Sequence, residues 1–249
     1  MPVDKPFRPG FANPHAFATT QWSMVLAAGR GDDRDAQAAL SQLCESYWYP
    51  LYAYVRRRVK NVDNAQDLTQ SFFTHLLEQG VVARADRSRG RFRAFLLTSL
   101  KNFLANEWQK EQTQKRGGQR LTLSLDFDAG ESKFRLEPAH ELTPEKLFER
   151  QWVMTLLDCV LERLRAELVA AGKREHFDHL KAGLVSDSEP ADYKQAAEAL
   201  GMTLAAAKQA AYRLRKRYRQ LFREEVSRTV ADEKEVDEEI GQLLATLGD

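Results

Sequence analysis

The sequence predicts an all-α fold: two helical domains joined by a long linker, the second carrying a helix-turn-helix. Three observations point there. Apolar residues recur at three- and four-residue spacing through most of the chain, with no convincing strand set and no repeat of solenoid length. Periodicity disappears between about residues 113 and 142, a stretch too long and unpatterned for the inside of one compact domain. From Asp192 to Arg223 a short amphipathic helix, a Gly-Met-Thr turn and a long basic helix follow one another.

Taken in order, residues 1–20 read as a flexible arm, docked through Phe7, Phe11 and Phe17. Residues 21–112 form the first domain. A helical pattern runs from Trp22 to about Lys60 through Leu40, Leu43, Cys44, Tyr47, Leu51, Tyr54 and Val55, and Pro50 is expected to kink or split it. Asn61-Val62-Asp63-Asn64 reads as a turn with a cap, and Ala65–Gln79 as a helix whose buried stripe is Leu68, Phe72 and Leu76. Gly80 closes it. A basic loop, 84–91, leads into the helix Phe92–Gln112, with Phe95, Leu96, Ser99, Leu100, Phe103 and Leu104 inward. Residues 113–142 read as the interdomain linker, opening on Gly117-Gly118 and holding a short extended piece at Leu121–Leu125.

The second domain, 143–226, starts at Thr143-Pro144-Glu145, a cap followed by proline at the first helical position. That helix runs to Gly172, a second spans about Lys173–Leu184, and a polar loop, Ser186–Pro190, precedes the helix-turn-helix. Tyr193, Ala196, Ala197 and Leu200 fall on one face of the first short helix. Gly201 suits a left-handed terminator, and Thr203 is placed to cap the next helix. There Leu204, Ala207, Ala211, Leu214, Tyr218 and Leu221 are expected inward. Lys208, Gln209, Tyr212, Arg213, Arg215, Lys216, Arg217 and Arg219 are expected outward. Residues 227–249 read as an acidic amphipathic helix with Val236, Ile240, Leu243, Leu244 and Leu247 on one side. An autoinhibitory role, covering the face 204–223, is the hypothesis for it.

Charge is unevenly spread. The net charge of +1 hides ten Lys/Arg against three acids in 84–120, and seven Lys/Arg with no acid in 204–223. The tail 224–249 holds nine acids against two bases. Two separate one-signed basic stretches suggest two contacts to a polyanion; an ordinary helical hairpin with a solvated basic face is the competing reading. Cys44 and Cys159 make no metal-type spacing, which fits a reducing cytoplasm. No signal-peptide core or membrane-length apolar run is visible, so a cytoplasmic protein without membrane contact is expected. His176 and His179 lack the acids or cysteines that would complete a metal site, and Gly117-Gly118 is not followed by Gly-Lys-Ser/Thr. With no triad either, the chain reads as a non-enzyme without metal or cofactor.

Asp67-Leu68-Thr69-Gln70-Ser71-Phe72-Phe73, then Phe92-Arg93-Ala94-Phe95-Leu96-Leu97, then Leu100-Lys101-Asn102-Phe103-Leu104-Ala105-Asn106-Glu107-Trp108 together resemble bacterial RNA polymerase sigma factors of the extracytoplasmic-function group. The pattern at 193–219 resembles their C-terminal DNA-binding region, through Tyr193, Ala197, Leu200, Gly201, Thr203, Lys208, Arg213 and Arg215. The resemblance covers about 21–112 and 143–226. It implies a protein that binds core RNA polymerase, recognises promoter DNA and helps open it, with 21–112 as region 2 and 143–226 as region 4. Asp67, Gln70 and Thr74 are then the polymerase-binding candidates. Lys101, Asn102, Asn106 and Lys110 are candidates for the −10 element, with Trp108 as a stacking surface for a flipped base. Thr203, Lys208, Gln209, Tyr212 and Arg213 would meet the −35 element in the major groove, and Lys216 and Arg217 would hold phosphates.

Departures from the family pattern are the linker, the acidic C-terminal helix, Asn106 where an acid is common, and Ala207 where a β-branched residue is. An anti-sigma protein is a further candidate partner that the residues leave open. The rival readings are a one-component helix-turn-helix repressor with 21–142 as effector and dimerisation domain, and a helical adaptor for acidic partners.

Overall fold

A computed structural model describes Val25, 34–113, 125–137, 142–184 and 190–248. The expectations for the arm with Phe7, Phe11 and Phe17, and for Leu121–Ser124, lie outside the described residues. What is described is all-α, with no strand. The helices are α1 Arg34–Arg58, α2 Val62–Glu78, α3 Phe92–Thr113, α4 Phe127–Arg135, α5 Pro144–Ala170, α6 Arg174–Leu180, α7 Pro190–Ala199, α8 Leu204–Ser227 and α9 Val236–Gly248. The chain divides into two compact units, Met1–Thr155 with Arg228–Asp249, and Leu156–Ser227.

In the first unit, α1 continues through Pro50 as one helix. Proline removes one backbone donor there. Tyr47, Leu51, Tyr52, Tyr54 and Val55 around it are wholly buried, and that packing keeps the helix intact. Asn61 caps α2 by accepting a hydrogen bond from the Asn64 amide at 2.8 Å. The α2 core face is Ala65, Thr69, Phe72, Phe73 and Leu76. It meets α1, α3 and the 3-10 turn Val81–Arg84. On α3, Phe92, Leu96, Leu100 and Leu104 are buried, while Phe95 and Ser99 are only half-covered. The edge of Phe92 meets Tyr47 at 5.7 Å between centroids. Cys44 is buried too, and burial first, then the Glu45 charge, pushes its thiol up to about 12.

Residues 127–135 depart from the linker expectation: they form α4, packed on α1. The Phe127 ring lies 6.1 Å from Trp48 and 5.5 Å from Tyr52. Glu131 accepts from Tyr52 Oη at 2.8 Å and from Arg56 Nε and Nη2 at 3.0 and 3.2 Å. Burial alone would raise the Glu131 carboxyl, but bonds from Arg56, Tyr52 and Arg135 hold it below the usual range. One apolar anchor and one charge clasp on a nine-residue helix make too little periodic pattern to be recognised in sequence.

The tail also differs from its expectation. The chain returns to the first unit after Ser227. There α9 buries Val236 and Leu243, and Glu239 meets Arg91 and Arg93, so these groups are committed within that unit.

In the second unit, Leu156, Val160 and Leu164 of α5, Phe177 and Leu180 of α6, Ala196 and Ala197 of α7, and Ala207, Ala211, Leu214, Leu221 and Phe222 of α8 form the core. Small alanines let α7 and α8 approach closely. The turn between them is a Schellman arrangement: Met202 N–H bonds to Ala197 C=O at 3.0 Å and Gly201 N–H to Glu198 C=O at 3.3 Å. Gly201 takes φ +61°, which side-chain-bearing residues adopt at a cost.

Candidate nucleic-acid interface

On α8, burial follows the helical period closely. Ala207, Ala211, Leu214, Leu221 and Phe222 face the core, and Ala205, Ala206, Lys208, Gln209, Tyr212, Arg213, Lys216, Arg219, Gln220 and Arg223 are exposed. The exposed set repeats at three and four residues, so it forms one stripe; from Lys208 to Arg219 it runs about 16 Å along the axis. Tyr212 is 61% exposed, unusual for an aromatic ring. Further along, Tyr212, Arg215, Lys216, Arg219, Gln220 and Arg223 line an open groove. The stripe carries donors in quantity and no carboxylate. It can meet an anionic backbone, and Arg, Lys and Gln can also bond base edges.

Two expectations on α8 need correction. Leu204 is 42% exposed rather than core, because as the first helical residue it precedes the part of α8 that α7 covers. Arg217 is not a free phosphate ligand. Its Nε and Nη2 grip Glu167 at 2.8 and 2.7 Å, and Nη1 reaches Glu224 at 3.3 Å. The Glu167 carboxyl is held down by that hydrogen bond, and the guanidinium is correspondingly raised. Arg163 joins the cluster, bonding Glu225 at 2.8 Å and Glu224 at 2.7 Å. Helical phase puts Arg217 beside Arg213, but the acids of α5 and the end of α8 capture it. Tyr218 is half-buried, and burial, then Asp158, pushes its hydroxyl up to about 12. Arg215 donates to Tyr193 Oη at 3.3 Å. Thr203 is exposed and accepts from the Ala206 amide at 3.2 Å, so its hydroxyl serves as the α8 cap.

On α3 the exposed stripe is Thr98, Asn102, Ala105, Asn106 and Gln109. Asn102 and Asn106, one turn apart, present amides outward. Lys101 lies to one side, its Nζ 2.8 Å from Glu145 of α5. Lys110 is exposed and pairs with Glu107 at 2.9 Å. Trp108 is half-buried, with the Arg58 guanidinium 5.0 Å from its ring centre. One face of the indole is therefore already in use, a cation–π contact that nothing in the local sequence announces.

On α2, Asp63, Asn64, Asp67 and Glu78 are exposed, with Gln70 and Ser71 half-exposed. Thr74 is only 7% exposed, against expectation, and its hydroxyl donates to the Gln70 carbonyl at 3.1 Å. It is in helical phase with Asp67. The C-terminal end of α2 is nevertheless enclosed on that side as well, where the turn Val81–Arg84 packs back on the helix. Leu68, read as core, is half-covered, and Thr69 takes the fully buried place instead.

These surfaces belong to a recognisable class of protein. Residues 43–114, spanning α2, α3 and the second half of α1, match the family model Sigma-70 region 2. That match supports a sigma factor of the sigma-70 family, a non-enzymatic transcription-initiation factor, and it implies promoter recognition and RNA polymerase binding. No curated protein and no solved structure matches the chain. No group of acids, histidines and cysteines with metal-holding geometry is found among the described residues, and none of their helices is long and apolar enough to cross a membrane.

Proposed function

We propose that the chain is a cytoplasmic sigma factor of the extracytoplasmic-function group, using two separate nucleic-acid contacts. The region 2 match at 43–114, followed in the same chain by the acid-free stripe on α8, is the observation that carries this reading. The unit Leu156–Ser227 acts as region 4. There α7 and α8 serve as a helix-turn-helix, with Lys208, Gln209, Tyr212 and Arg213 in the major groove of the −35 element and Lys216 on phosphate. Asn102 and Asn106 contact the −10 element, supported by Lys101, Lys110 and the outer edge of Trp108. Asp67 and Gln70 on α2 meet the core polymerase; Thr74, being buried, is left out of that contact.

Run-off transcription tests the proposal, with bacterial core polymerase and DNA from upstream of the protein's own gene. The expected result is a start-specific transcript that disappears in the Asp67→Ala/Gln70→Ala variant while that variant still binds duplex DNA. Tight palindromic footprinting by the protein alone, with no polymerase binding, would instead establish a one-component repressor. Whether an anti-sigma protein captures the chain is answered by the same assay with candidate inhibitors added.

A further inference from the structure

The arginines of 84–93 are committed to the C-terminal segment. Arg87 Nη2 donates to the Val230 carbonyl at 2.9 Å, and Arg91 Nη1 to Gln242 Oε1 at 2.8 Å. Arg91 and Arg93 both pair with Glu239, which is fully buried. Apolar contacts reinforce the attachment: Val230, Val236 and Leu243 are each 1% exposed. Arg93 is further held by Glu149 at 2.8 Å and lies 4.6 Å from the Trp152 ring centre. Burial would lower its pKa, but the two carboxylates more than offset that and raise it.

The segments are complementary in charge. Residues 84–93 hold five arginines against Asp86, and 232–239 hold six acids against Lys234. Docking uses only one of those acids, Glu239. Asp232, Glu233, Glu235, Asp237 and Glu238 stay exposed on the docked segment. A strap serving the core alone has no use for five outward carboxylates. An acidic cover does, because any polyanion approaching Arg87 or Arg91 meets them within a Debye length of about 8–10 Å.

We propose that residues 228–248 are an intramolecular acidic cover over the basic segment 84–93, which a nucleic-acid backbone must displace to reach Arg87 and Arg91. This rests on the reading of the first unit as a nucleic-acid contact. It replaces the expectation that the tail covers 204–223. The cover sets a threshold: non-specific strands are rejected, and only a strand held in place by other contacts stays long enough to exchange with it.

The test uses the full chain and a fluorescent oligothymidylate, which carries no promoter sequence, so it is independent of run-off transcription. Deleting the segment would expose Val230, Val236 and Leu243 and risk unfolding. The variant used is therefore Glu233→Gln/Glu235→Gln/Asp237→Asn/Glu238→Gln, which leaves Glu239 and the apolar anchors in place. Its affinity for the oligonucleotide at low salt should rise about tenfold. The log–log salt slope should steepen by about 1.4, as two freed arginines each add about 0.7 on a single strand. Adding Arg87→Gln/Arg91→Gln should abolish the gain. In the unsubstituted protein, saturating oligonucleotide should speed amide hydrogen exchange in α9. Binding with α9 still fully protected, no gain on neutralisation, or a gain that survives loss of the two arginines would each overturn the proposal.

Discussion

The two basic runs carry the same formal excess and are used in opposite ways. In α8 the cations alternate with a core face, so Lys208, Arg213, Lys216 and Arg219 stay outward while Ala207, Ala211 and Leu214 go in. In 84–93, which is loop and 3-10 turn, Arg87, Arg91 and Arg93 turn to acceptors 143 to 151 residues away in sequence. The difference teaches that counting charges locates a basic segment without telling whether it is available. Availability is legible where a regular helix fixes the phase, and illegible where distant partners choose the direction.

Substitutions can break this contrast, and the largest effect should come from the closed side. Arg93→Ala removes a buried cation from Glu239, Glu149 and the Trp152 face, leaving Glu239 buried with one partner fewer. The expected loss is about 3–5 kcal/mol in a urea titration of the full chain. A loss no larger than that of an exposed-site control such as Arg84→Ala would mean that the cluster is not closed.

Next in size is Gly130→Ala. A Cβ there would lie 2.8 and 2.9 Å from two ring carbons of Trp48. Overpacking of this kind costs about 1–3 kcal/mol and should also alter Trp48 fluorescence. An unchanged melting curve and spectrum would show that α4 does not rest on α1 as described.

On the open side, Lys208→Ala and Arg213→Ala should leave thermal stability unaltered and weaken duplex binding, each lost phosphate contact reducing the salt slope by about 0.9. Arg217→Ala should do the reverse: little change in duplex binding and a stability loss of up to about 1 kcal/mol, as a half-exposed ion-pair cluster is opened. If Arg217→Ala proved to be the stronger DNA-binding defect, the division between the inward and outward cations of α8 would fail.

The smallest expected effect is on acid stability. The carboxyls of Glu131 and Glu167 are depressed in the folded chain. Their stabilisation is therefore complete above the unfolded value of 4.5 and is lost as pH falls through the folded value. Glu131→Gln should accordingly narrow the stability difference between about pH 6 and pH 3.5 for the first unit, and Glu167→Gln should do so for the second. Urea midpoints at the two pH values measure it, and parallel shifts in variant and parent would contradict the assignment.

Most of the fold was readable because its signals are local. Helical spacing places α1, α2, α3, α5 and α8; Asn61, Thr143 and Thr203 accept the amide bonds expected of caps; and Gly201 takes the left-handed turn. The outward stripe of α8 follows from the same 3.6-residue period. Tertiary structure alone decided which of these faces are used. It buried Thr74 although its phase matches Asp67, drew Arg217 to Glu167, docked α4 through Phe127 and Glu131, and brought Glu239 to Arg91 and Arg93. The physical reason is range. A helix period and a cap are properties of four or five consecutive residues, whereas ion pairs and packing join residues 50 to 146 positions apart, and their geometry exists only once the helices have met.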